Sequence, residues 1–337
     1  MMDRAIRIGI LSVAHLHAVS YIASLRMIPG VEFIGITDDD EARGLAFVKQ
    51  QNVRWYPNVD ALLSDKPDGV IICAENVYHE PLIRQAAASS VHILCEKPLT
   101  TTLEAGRAAL DAVKAAGVTL MTAFPMRFSA PLREIKTALT AGALGHIHAI
   151  NGVNQGQMPK RHRTWFVDPH LAGGGALMDH IVHLADVMRW YTESEAVEVY
   201  AQSNRIIHPD EAVETGGLVM ITFANGTFAS IDCSWSKPLT SYPTWGGLAL
   251  DVIGEKGVIN ADAFRQNLTI YSEADGRPIS GYWGSDSDHA MIAEFVAAIR
   301  EGRAPSVTGA DGYRATEIVV AAYRSAASGQ PIQLPLT

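Results

Sequence analysis

The 337-residue chain has little of several features that would place it in a special class. It contains only three cysteines, its net charge of −9 includes no long block of lysine or arginine, and no apolar run reaches membrane-spanning length. These absences argue against a disulfide scaffold, against a nucleic-acid or anionic-membrane partner, and against an integral membrane protein. The N-terminus also lacks the apolar core of a signal peptide, so we expect a cytoplasmic protein.

The chain also lacks the glycines that usually mark a dinucleotide-binding turn. The segment Gly9–Tyr21, GILSVAHLHAVSY, joins an apolar strand-like run to an amphipathic helical run, which is the setting of a G-x-G-x-x-G fingerprint. Ser12, Ala14 and His17 stand at the three glycine positions. Two of these residues are small, and a helix N-terminus attracts phosphate through backbone N–H groups alone. We therefore expect a dinucleotide site with altered detail.

Short apolar runs alternate with helical patterns over the first 125 residues. This alternation predicts an α/β domain with a doubly wound parallel sheet of the Rossmann type. The expected strands are Arg7–Leu11, Glu32–Thr37, Gly69–Cys73, His92–Cys95 and Thr119–Ala123.

The pattern changes after residue 146 to strand-like runs that meet at tight turns. The tetrapeptide ANGT at 224–227 is a hairpin signal, and GEKG at 254–257 is turn-like. Together with three helical stretches, these runs predict an α+β domain with a large, mostly antiparallel open sheet. A chain of this length usually holds two domains, so we expect one at residues 1–124 and a second at residues 125–337.

Polar and titratable residues follow the ends of the expected strands. Ligands of an open parallel sheet bind beyond the carboxyl ends of its strands, so these residues are the candidates for cofactor binding. They are Ser12, Val13, Ala14 and His15 after the first strand, Asp38 after the second, Ala74, Asn76 and His79 after the third, and Glu96 and Lys97 after the fourth. Asp38 is placed to accept hydrogen bonds from a ribose, although it could instead cap the next helix.

Four segments of the chain carry a resemblance to a known family. They are ENVYHEPLIRQAA, CEKPLTTTLEAG, GGGALMDHIVHLADVMRWY and VIGEKGVI. In this order along nearly the full length, they resemble the Gfo/Idh/MocA oxidoreductases, the family of glucose-fructose oxidoreductase and inositol dehydrogenase. The resemblance implies an NAD(P)-dependent enzyme that transfers a hydride between nicotinamide and a secondary alcohol of a sugar, polyol or related cyclic compound.

The resemblance also implies roles for particular residues. Lys97 matches the family's hydroxyl-orienting lysine, and Asp179 and His183 match its aspartate and acid/base histidine. Asp179 and His183 share a helix face at i and i+4, so we expect the aspartate to be the partner of the histidine. The chemistry agrees, because an imidazole can take a hydroxyl proton near neutral pH and an ammonium stabilises alkoxide charge. The residues expected to bind substrate are Lys97, Arg127, Arg163, Trp165, His180 and His183.

Charge near the adenosine ribose sets the expected cofactor preference. Asp38, Asp39 and Asp40 crowd the place of a 2′-phosphate, and Arg43 is expected to face solvent, so we expect NAD to be preferred over NADP. The glycines at 173–175 are expected to let the following helix approach cofactor or substrate closely. The resemblance further implies a homodimer or homotetramer formed through the exposed face of the large sheet.

Three other interpretations stay open. An enzyme of this kind can use tightly held NAD transiently to cleave or epimerise a glycoside. The missing glycines also fit a nucleotide- or sugar-binding regulator without turnover, although the intact Lys97 weighs against it. Asp179, His180 and His183 have a spacing that can chelate zinc, as in a metal-dependent hydrolase. No cysteine joins them, so we expect no bound metal and expect the extra histidines, His15, His17 and His180, to contact ligand through hydrogen bonds.

Overall fold

The structure is a computed structural model that describes residues 4–242, 244–265, 267–270, 279–282 and 284–336. For residues 267–270 and 279–282 it describes the backbone. Residues 271–273, the end of the expected strand-like run NLTIYSE, lie outside the described residues.

Helices and strands follow the predicted succession closely. The helices are α1 (Ala18–Met27), α2 (Glu41–Gln51), α3 (Val59–Ser64), α4 (His79–Ala88), α5 (Leu103–Ala116), α6 (Ala130–Thr140), α7 (Pro169–Ala172), α8 (Ala176–Thr192), α9 (Ser287–Glu301) and α10 (Gly309–Ser328). The strands are β1 (Ile6–Leu11), β2 (Val31–Thr37), β3 (Gly69–Ile72), β4 (His92–Cys95), β5 (Leu120–Thr122), β6 (Ile147–Gly156), β7 (Ala196–Asn204), β8 (Gly216–Phe223), β9 (Phe228–Ser234), β10 (Gly246–Gly254), β11 (Gly257–Asp262), β12 (Asn267–Ile270), β13 (Ile279–Tyr282) and β14 (Ile332–Gln333). Among the described residues, none of these helices has both the length and the apolar content needed to span a bilayer.

Strands β1–β5 form a parallel sheet in the order β2-β1-β3-β4-β5. Alternate residues of β1 serve opposite faces: Ile8 and Ile10 share one apolar cluster with Ile22 of α1, whereas Leu11 shares the other with Ile83 of α4. The predicted doubly wound sheet is confirmed. Its strand order reverses between β1 and β3, which places the ligand-binding crevice of this fold at the turn after β1.

Helix α9 follows the second sheet in sequence but packs on the first sheet. A Cβ atom added at Gly69 of β3 would meet the Phe295 ring at 3.1 Å and the Ile299 side chain at 2.9 Å. Arg300 at the end of the same helix donates to the Pro29 carbonyl oxygen before β2. The C-terminal part of the chain therefore completes one face of the N-terminal sheet.

The second large sheet has the order β11-β10-β6-β9-β8-β7-β14, and its strands pair antiparallel except for the parallel pair β6–β9. The predicted turn at 224–227 joins β8 to β9, and the one at 254–257 joins β10 to β11. Helix α8 packs so closely on this sheet that a Cβ at Gly152 would lie 2.8 Å from the Leu184 side chain. The predicted large, mostly antiparallel sheet is confirmed, and it carries α8 to the edge of the first sheet.

Candidate active site

The two sheets bring the expected catalytic residues into one cavity. Lys97 follows β4 of the first sheet, whereas Asp179 and His183 lie one turn apart on α8, which packs on the second sheet. All three side chains line a cavity of about 870 Å³. Residues more than 80 positions apart in sequence therefore meet, as the resemblance implies.

A short ion pair joins Lys97, at the end of β4, to Asp179 on α8. Lys97 Nζ donates to Asp179 Oδ1 at 2.6 Å and to the Asp179 carbonyl oxygen at 3.3 Å. Trp235 Nε1 donates to the second carboxylate oxygen at 3.3 Å, and His180 Nε2 lies 3.2 Å from it. Burial opposes ionisation, but Lys97 and His180 outweigh it and hold the pKa of Asp179 well below its usual range. The carboxylate is therefore charged at neutral pH and anchors the lysine.

His183 is neutral and faces the cavity. Burial and the charge of Lys97 hold the pKa of His183 well below its usual value, so at pH 7 the imidazole can accept a proton. Its Nδ1 is buried without a hydrogen-bond partner among the described residues. The expected pairing of Asp179 with His183 is wrong, because the aspartate oxygens contact Lys97, His180 and Trp235 instead.

His180 is held by the second sheet rather than turned freely toward substrate. Its Nδ1 lies 2.9 Å from the carbonyl oxygen of Asn154 on β6, and the Asn154 side-chain amide donates to the His180 carbonyl oxygen at 3.1 Å. Both residues line the cavity. The side-chain oxygen of Asn154 is buried without a partner in the described part of the chain. Sequence reasoning missed Asn154, whose only signal is a polar residue at an inward-facing strand position.

The start of α8 is fixed by a carboxylate that sequence reasoning also missed. Glu214 Oε1 accepts from the backbone N–H of Gly175 at 2.9 Å, from that of Leu177 at 3.0 Å and from the Tyr323 hydroxyl at 2.7 Å. A Cβ at Gly174 would lie 1.9 Å from the Tyr323 oxygen, and one at Gly175 would lie 2.0 Å from the Glu214 carbonyl oxygen. The glycines thus serve contacts within the protein, which corrects the expected approach to cofactor or substrate.

The turn after β1 keeps a glycine-like conformation without glycine. Ser12 has a φ of 65°, in the left-handed region that side chains other than glycine seldom adopt. Its hydroxyl donates to Asp38 Oδ2 at 3.2 Å and accepts from the Ala14 N–H at 3.2 Å, and the Val13 N–H donates to the same carboxylate oxygen at 2.7 Å. These hydrogen bonds offset the cost of the conformation and hold Asp38 beneath the turn.

Residues of the segment before α8 cover the middle of this turn. The carbonyl oxygen of Ala14 accepts from Arg163 Nε at 2.9 Å and from Trp165 Nε1 at 3.1 Å. Trp165 stacks on Phe166 with ring centroids 4.0 Å apart, and both rings are buried. Arg163 and Phe166 line the cavity but Trp165 does not, so the expected contact of Trp165 with substrate is corrected to a contact with the turn.

Arg43 turns toward the first sheet instead of facing solvent. Its guanidinium donates to both oxygens of Asp38, to Asp39 Oδ1 at 2.9 Å and to Glu75 Oε1 at 2.8 Å. Asp40, not Asp38, caps α2, because its side chain accepts from the Arg43 N–H at 3.0 Å. The expectation for Arg43 is therefore wrong, whereas Asp38 occupies the position expected of a ribose-binding acid.

The residues after β3 are engaged within the protein. The Asn76 side-chain amide donates to the Ala172 carbonyl oxygen at 2.8 Å. His79 is fully buried, with Nδ1 2.9 Å from the Pro98 carbonyl oxygen and Nε2 3.2 Å from that of Ala74. These hydrogen bonds fasten neighbouring loops together, and the cofactor contact expected of Asn76 and His79 stays a prediction.

Glu96 is the centre of a buried polar cluster. Its Oε1 accepts from the Tyr21 hydroxyl at 2.5 Å and lies 2.9 Å from His17 Nδ1 and 3.6 Å from His15 Nδ1, while Oε2 accepts from the Lys97 N–H. Burial opposes ionisation of Glu96, but the imidazoles and Lys97 hold its pKa well below the usual range. Burial opposes charge on His17 as well, yet Glu96 raises the pKa of His17, whereas burial lowers the pKa of His15 to about 3.

Arg127 lies outside the cavity that Lys97, Asp179 and His183 line. Its guanidinium donates to both oxygens of the fully buried Asp186, at 2.7 and 2.6 Å, and to Asp311 Oδ1 at 3.1 Å. A buried carboxylate needs such a partner because desolvation of its charge is costly. The expected role of Arg127 in substrate binding is corrected to a structural ion pair beneath α8.

The Lys97–Asp179 pair predicts a pH-dependent loss of stability. Lys97→Met should lower the free energy of unfolding by about 3 kcal/mol at pH 8, because it leaves a buried carboxylate without its cation. Without Lys97, burial raises the folded-state pKa of Asp179 above its unfolded value, so the variant takes up a proton and recovers stability as the pH falls. The deficit should therefore shrink between pH 8 and pH 5, as measured by urea unfolding.

The matched control is Lys136→Met, which removes a lysine whose partner, Glu193, is mostly exposed. Its effect on the free energy of unfolding should be small, and equal at pH 8 and pH 5. A Lys97→Met deficit that is equally large at pH 5 would contradict an ionised, lysine-dependent Asp179.

Comparisons with known proteins agree with this architecture. Residues 6–124 match the profile described as oxidoreductase family, NAD-binding Rossmann fold, and residues 132–260 match the Gfo/Idh/MocA C-terminal domain. D-xylose 1-dehydrogenase (NADP(+)) 2 of Haloferax volcanii is 30% identical over 90% of this chain and 92% of that protein. Myo-inositol 2-dehydrogenase of Thermotoga maritima is 26% identical over 97% of this chain and 98% of its own length.

The structure of GenD2 from gentamicin A biosynthesis, solved in complex with NAD, has the same fold, with a TM-score of 0.89 at 24% identity. That similarity covers 100% of this chain and 98% of the other. Both domain profiles, the relative at 30% identity and the pair of sheets lead to one conclusion: the chain belongs to the Gfo/Idh/MocA oxidoreductase family.

Proposed function

We propose that the protein is an NAD-dependent dehydrogenase or reductase acting on a secondary alcohol of a sugar, polyol or related cyclic compound. The observation that carries the proposal is the meeting of a buried ammonium, Lys97, and a neutral imidazole, His183, in one cavity. Relatives named for action on xylose and inositol support a polyhydroxylated substrate. The buried oxygen of Asn154 offers such a substrate a further acceptor at the cavity wall.

The side chains divide the proton chemistry between them. When bound, NAD supplies the carbon that accepts the hydride from the carbinol. His183 takes the hydroxyl proton as general base, which its neutral state at pH 7 permits. Lys97 donates to the same hydroxyl oxygen and stabilises the negative charge that develops there, while Asp179 holds the ammonium in place.

The turn after β1 fits a dinucleotide despite its missing glycines. Ser12 provides the left-handed backbone, and the N-terminus of α1 provides N–H groups for phosphate. For a ribose hydroxyl to reach Asp38, the guanidinium of Arg43 has to turn away, because the carboxylate is fully covered in this structure. The residues proposed to hold the cofactor are Ser12, Val13, Ala14, His15, Asp38, Ala74, Glu96 and Lys97.

Substitutions at the catalytic pair test this function. Lys97→Ala and His183→Ala should each lower kcat by about 10²- to 10⁴-fold on a polyol substrate, because each removes a group needed as the proton leaves. NADH affinity, followed by nucleotide fluorescence, should stay within a few-fold of the wild type. The control His162→Ala changes another histidine of the same cavity, whose side chain is exposed, and should keep turnover near that of the wild type. Two alanine variants with wild-type kcat would refute the mechanism.

Cofactor preference gives a separate prediction. Three carboxylates, those of Asp38, Asp39 and Glu75, surround the single guanidinium of Arg43. This edge of the first sheet therefore keeps a net negative charge, which would repel a 2′-phosphate. NADH should bind more tightly than NADPH by at least roughly tenfold, or about 1.4 kcal/mol. Isothermal titration of both nucleotides into one preparation measures the ratio.

The control for cofactor preference is Asp38→Asn. This change removes one negative charge, so it should reduce the preference for NADH over NADPH. Tighter binding of NADPH would show that Arg43, not Asp38, governs the ribose site. If neither nucleotide binds and none copurifies, the regulator without turnover becomes the better proposal.

We also propose a homo-oligomer formed through the second sheet. Leu218 and Met220 on β8, Val153 on β6 and Phe228 on β9 are exposed on the face opposite α8. Polar residues such as Asp232 and Ser230 lie between these apolar side chains on the same face, and such a mixed surface suits an interface between subunits. Sedimentation velocity should show a dimer or tetramer that Met220→Glu dissociates, whereas the control Ile206→Glu, on an exposed loop residue, should not. A wild-type monomer would refute this assembly.

The remaining proposals concern organisation and location. We propose that residues 1–124 hold the cofactor and residues 125–337 bind substrate and form the oligomer contact. The three cysteines are buried and unpaired, which suits a reducing compartment such as the cytoplasm.

A further inference from the structure

We propose that His15, His17 and Glu96 bind one divalent transition-metal ion of the zinc type at the wall of the catalytic cavity. The three side chains offer two imidazole nitrogens and one carboxylate oxygen, and these ligand atoms all lie within 4.8 Å of one another. Two imidazoles and a carboxylate form a donor set that suits zinc and its neighbours in the first transition row.

The separations of the ligand atoms fit a metal ion. In a tetrahedral zinc site, bonds of about 2.0–2.2 Å place neighbouring ligand atoms about 3.3–3.6 Å apart. Here His15 Nδ1 lies 3.6 Å from Glu96 Oε1, within that range, and His17 Nδ1 lies 2.9 Å from the same oxygen, below it. All three ligand atoms lie within 4.8 Å of one another, so adjustments of the His17 ring and of the separation between the two imidazoles would complete the coordination.

The cluster is held before any ion arrives. Glu96 is fully buried and His15 is 2% exposed, so neither side chain has much freedom to lose on binding. The Tyr21 hydroxyl donates to Glu96 Oε1 and orients the carboxylate, as outer partners of metal ligands commonly do. The H-x-H spacing at the N-terminus of α1 places both imidazoles beside the same carboxylate.

Electrostatics favours a cation between these groups. His15 Nδ1 accepts from the His17 N–H at 3.3 Å, so it presents a lone pair rather than a proton. The same nitrogen faces the Glu96 carboxylate, so two electron-rich atoms lie 3.6 Å apart in a buried place. Such an arrangement is costly without a cation between the atoms. Among the described residues, the cationic groups that act on Glu96 are the His17 imidazole, with Nδ1 2.9 Å from Glu96 Oε1, and the Lys97 ammonium.

The site opens toward the substrate region. His15 and His17 line the same cavity as Lys97 and His183, so water or a substrate hydroxyl can take the remaining coordination position. A polyol with adjacent hydroxyls could then bind the ion and the lysine together. This role rests on the proposed function, whereas metal binding itself does not.

The inference departs from the sequence-based expectation that His15, His17 and His180 contact ligand through hydrogen bonds and bind no metal. In the structure, His180 makes contacts to Asn154 and Asp179. It therefore does not join His183 in a common donor set. The histidines of the turn after β1, not those of α8, form the group that can chelate.

The test is zinc binding to the full-length protein. The purified protein is dialysed against 1,10-phenanthroline, freed of chelator, and titrated with zinc alone by isothermal calorimetry, with Co²⁺ absorption as a second measurement. We expect one equivalent of zinc per chain and visible Co²⁺ bands typical of a low-coordinate nitrogen and oxygen site. His15→Gln and His17→Gln should each weaken binding at least roughly tenfold, since a glutamine amide is a poor zinc ligand.

Two control variants separate this site from its neighbours. His162→Gln and His180→Gln alter histidines of the same cavity outside the cluster and should bind zinc like the wild type. Circular dichroism confirms folding, and because two histidine variants are used, the test does not depend on Glu96→Gln, which removes the centre of a buried cluster.

The outcomes are decisive in both directions. Less than about 0.2 equivalents of bound zinc, or wild-type affinity in both His15→Gln and His17→Gln, would overturn the site. Loss of zinc binding in His180→Gln alone would overturn it too, by placing the ion on α8. NADH formation by a protein that binds no zinc would leave the proposed dehydrogenase intact and remove only the metal site. Zinc binding without hydride transfer would support the metal site and contradict the proposed dehydrogenase.

Discussion

The buried pair of Lys97 and Asp179 is the contact on which the arrangement of the site depends. Lys97 follows a strand of the first sheet and Asp179 lies on a helix packed on the second, and Lys97 is the main group that offsets the burial of the Asp179 carboxylate. The 2.6 Å contact therefore fixes where α8 stands relative to the end of β4. It also contributes to the electrostatics of the cavity, because burial, together with the Lys97 ammonium, keeps His183 neutral. The ion pair thus acts both on the position of α8 and on the charge of the neighbouring imidazole.

The ion pair in turn relies on how α8 begins. Three consecutive glycines let the chain pass between Tyr323 and Glu214, whose carboxylate then receives N–H groups of the first turn. A carboxylate at this end is also favoured by the helix dipole. Asp179 lies within the turn that these contacts hold. The position of the Asp179 carboxylate therefore depends on two residues, Glu214 and Tyr323, that do not line the cavity.

Much of the fold could be predicted because local sequence patterns indicate its strands and helices. The strands of the first sheet lie within one residue of their predicted ends, since each is a short apolar run bounded by polar residues. The six-residue α3 was not predicted, because a helix that short carries little periodic signal. The catalytic set followed from resemblance. The direction of Arg43, the partner of Trp165 and the proximity of Glu96 to His17 depend on contacts between distant segments, which no local pattern encodes.

Helix α9 comes after the second sheet in sequence but packs on the first sheet. The first structural unit is therefore built from segments that are far apart in the chain. Phe295 and Ile299 fill the space that the missing side chain of Gly69 leaves open. A fragment cut near residue 125 would expose that face of the sheet to water. Exchange of cofactor domains between relatives would therefore have to carry α9 along with the first half. Recombination within this architecture is thus constrained to pieces that are discontinuous in sequence.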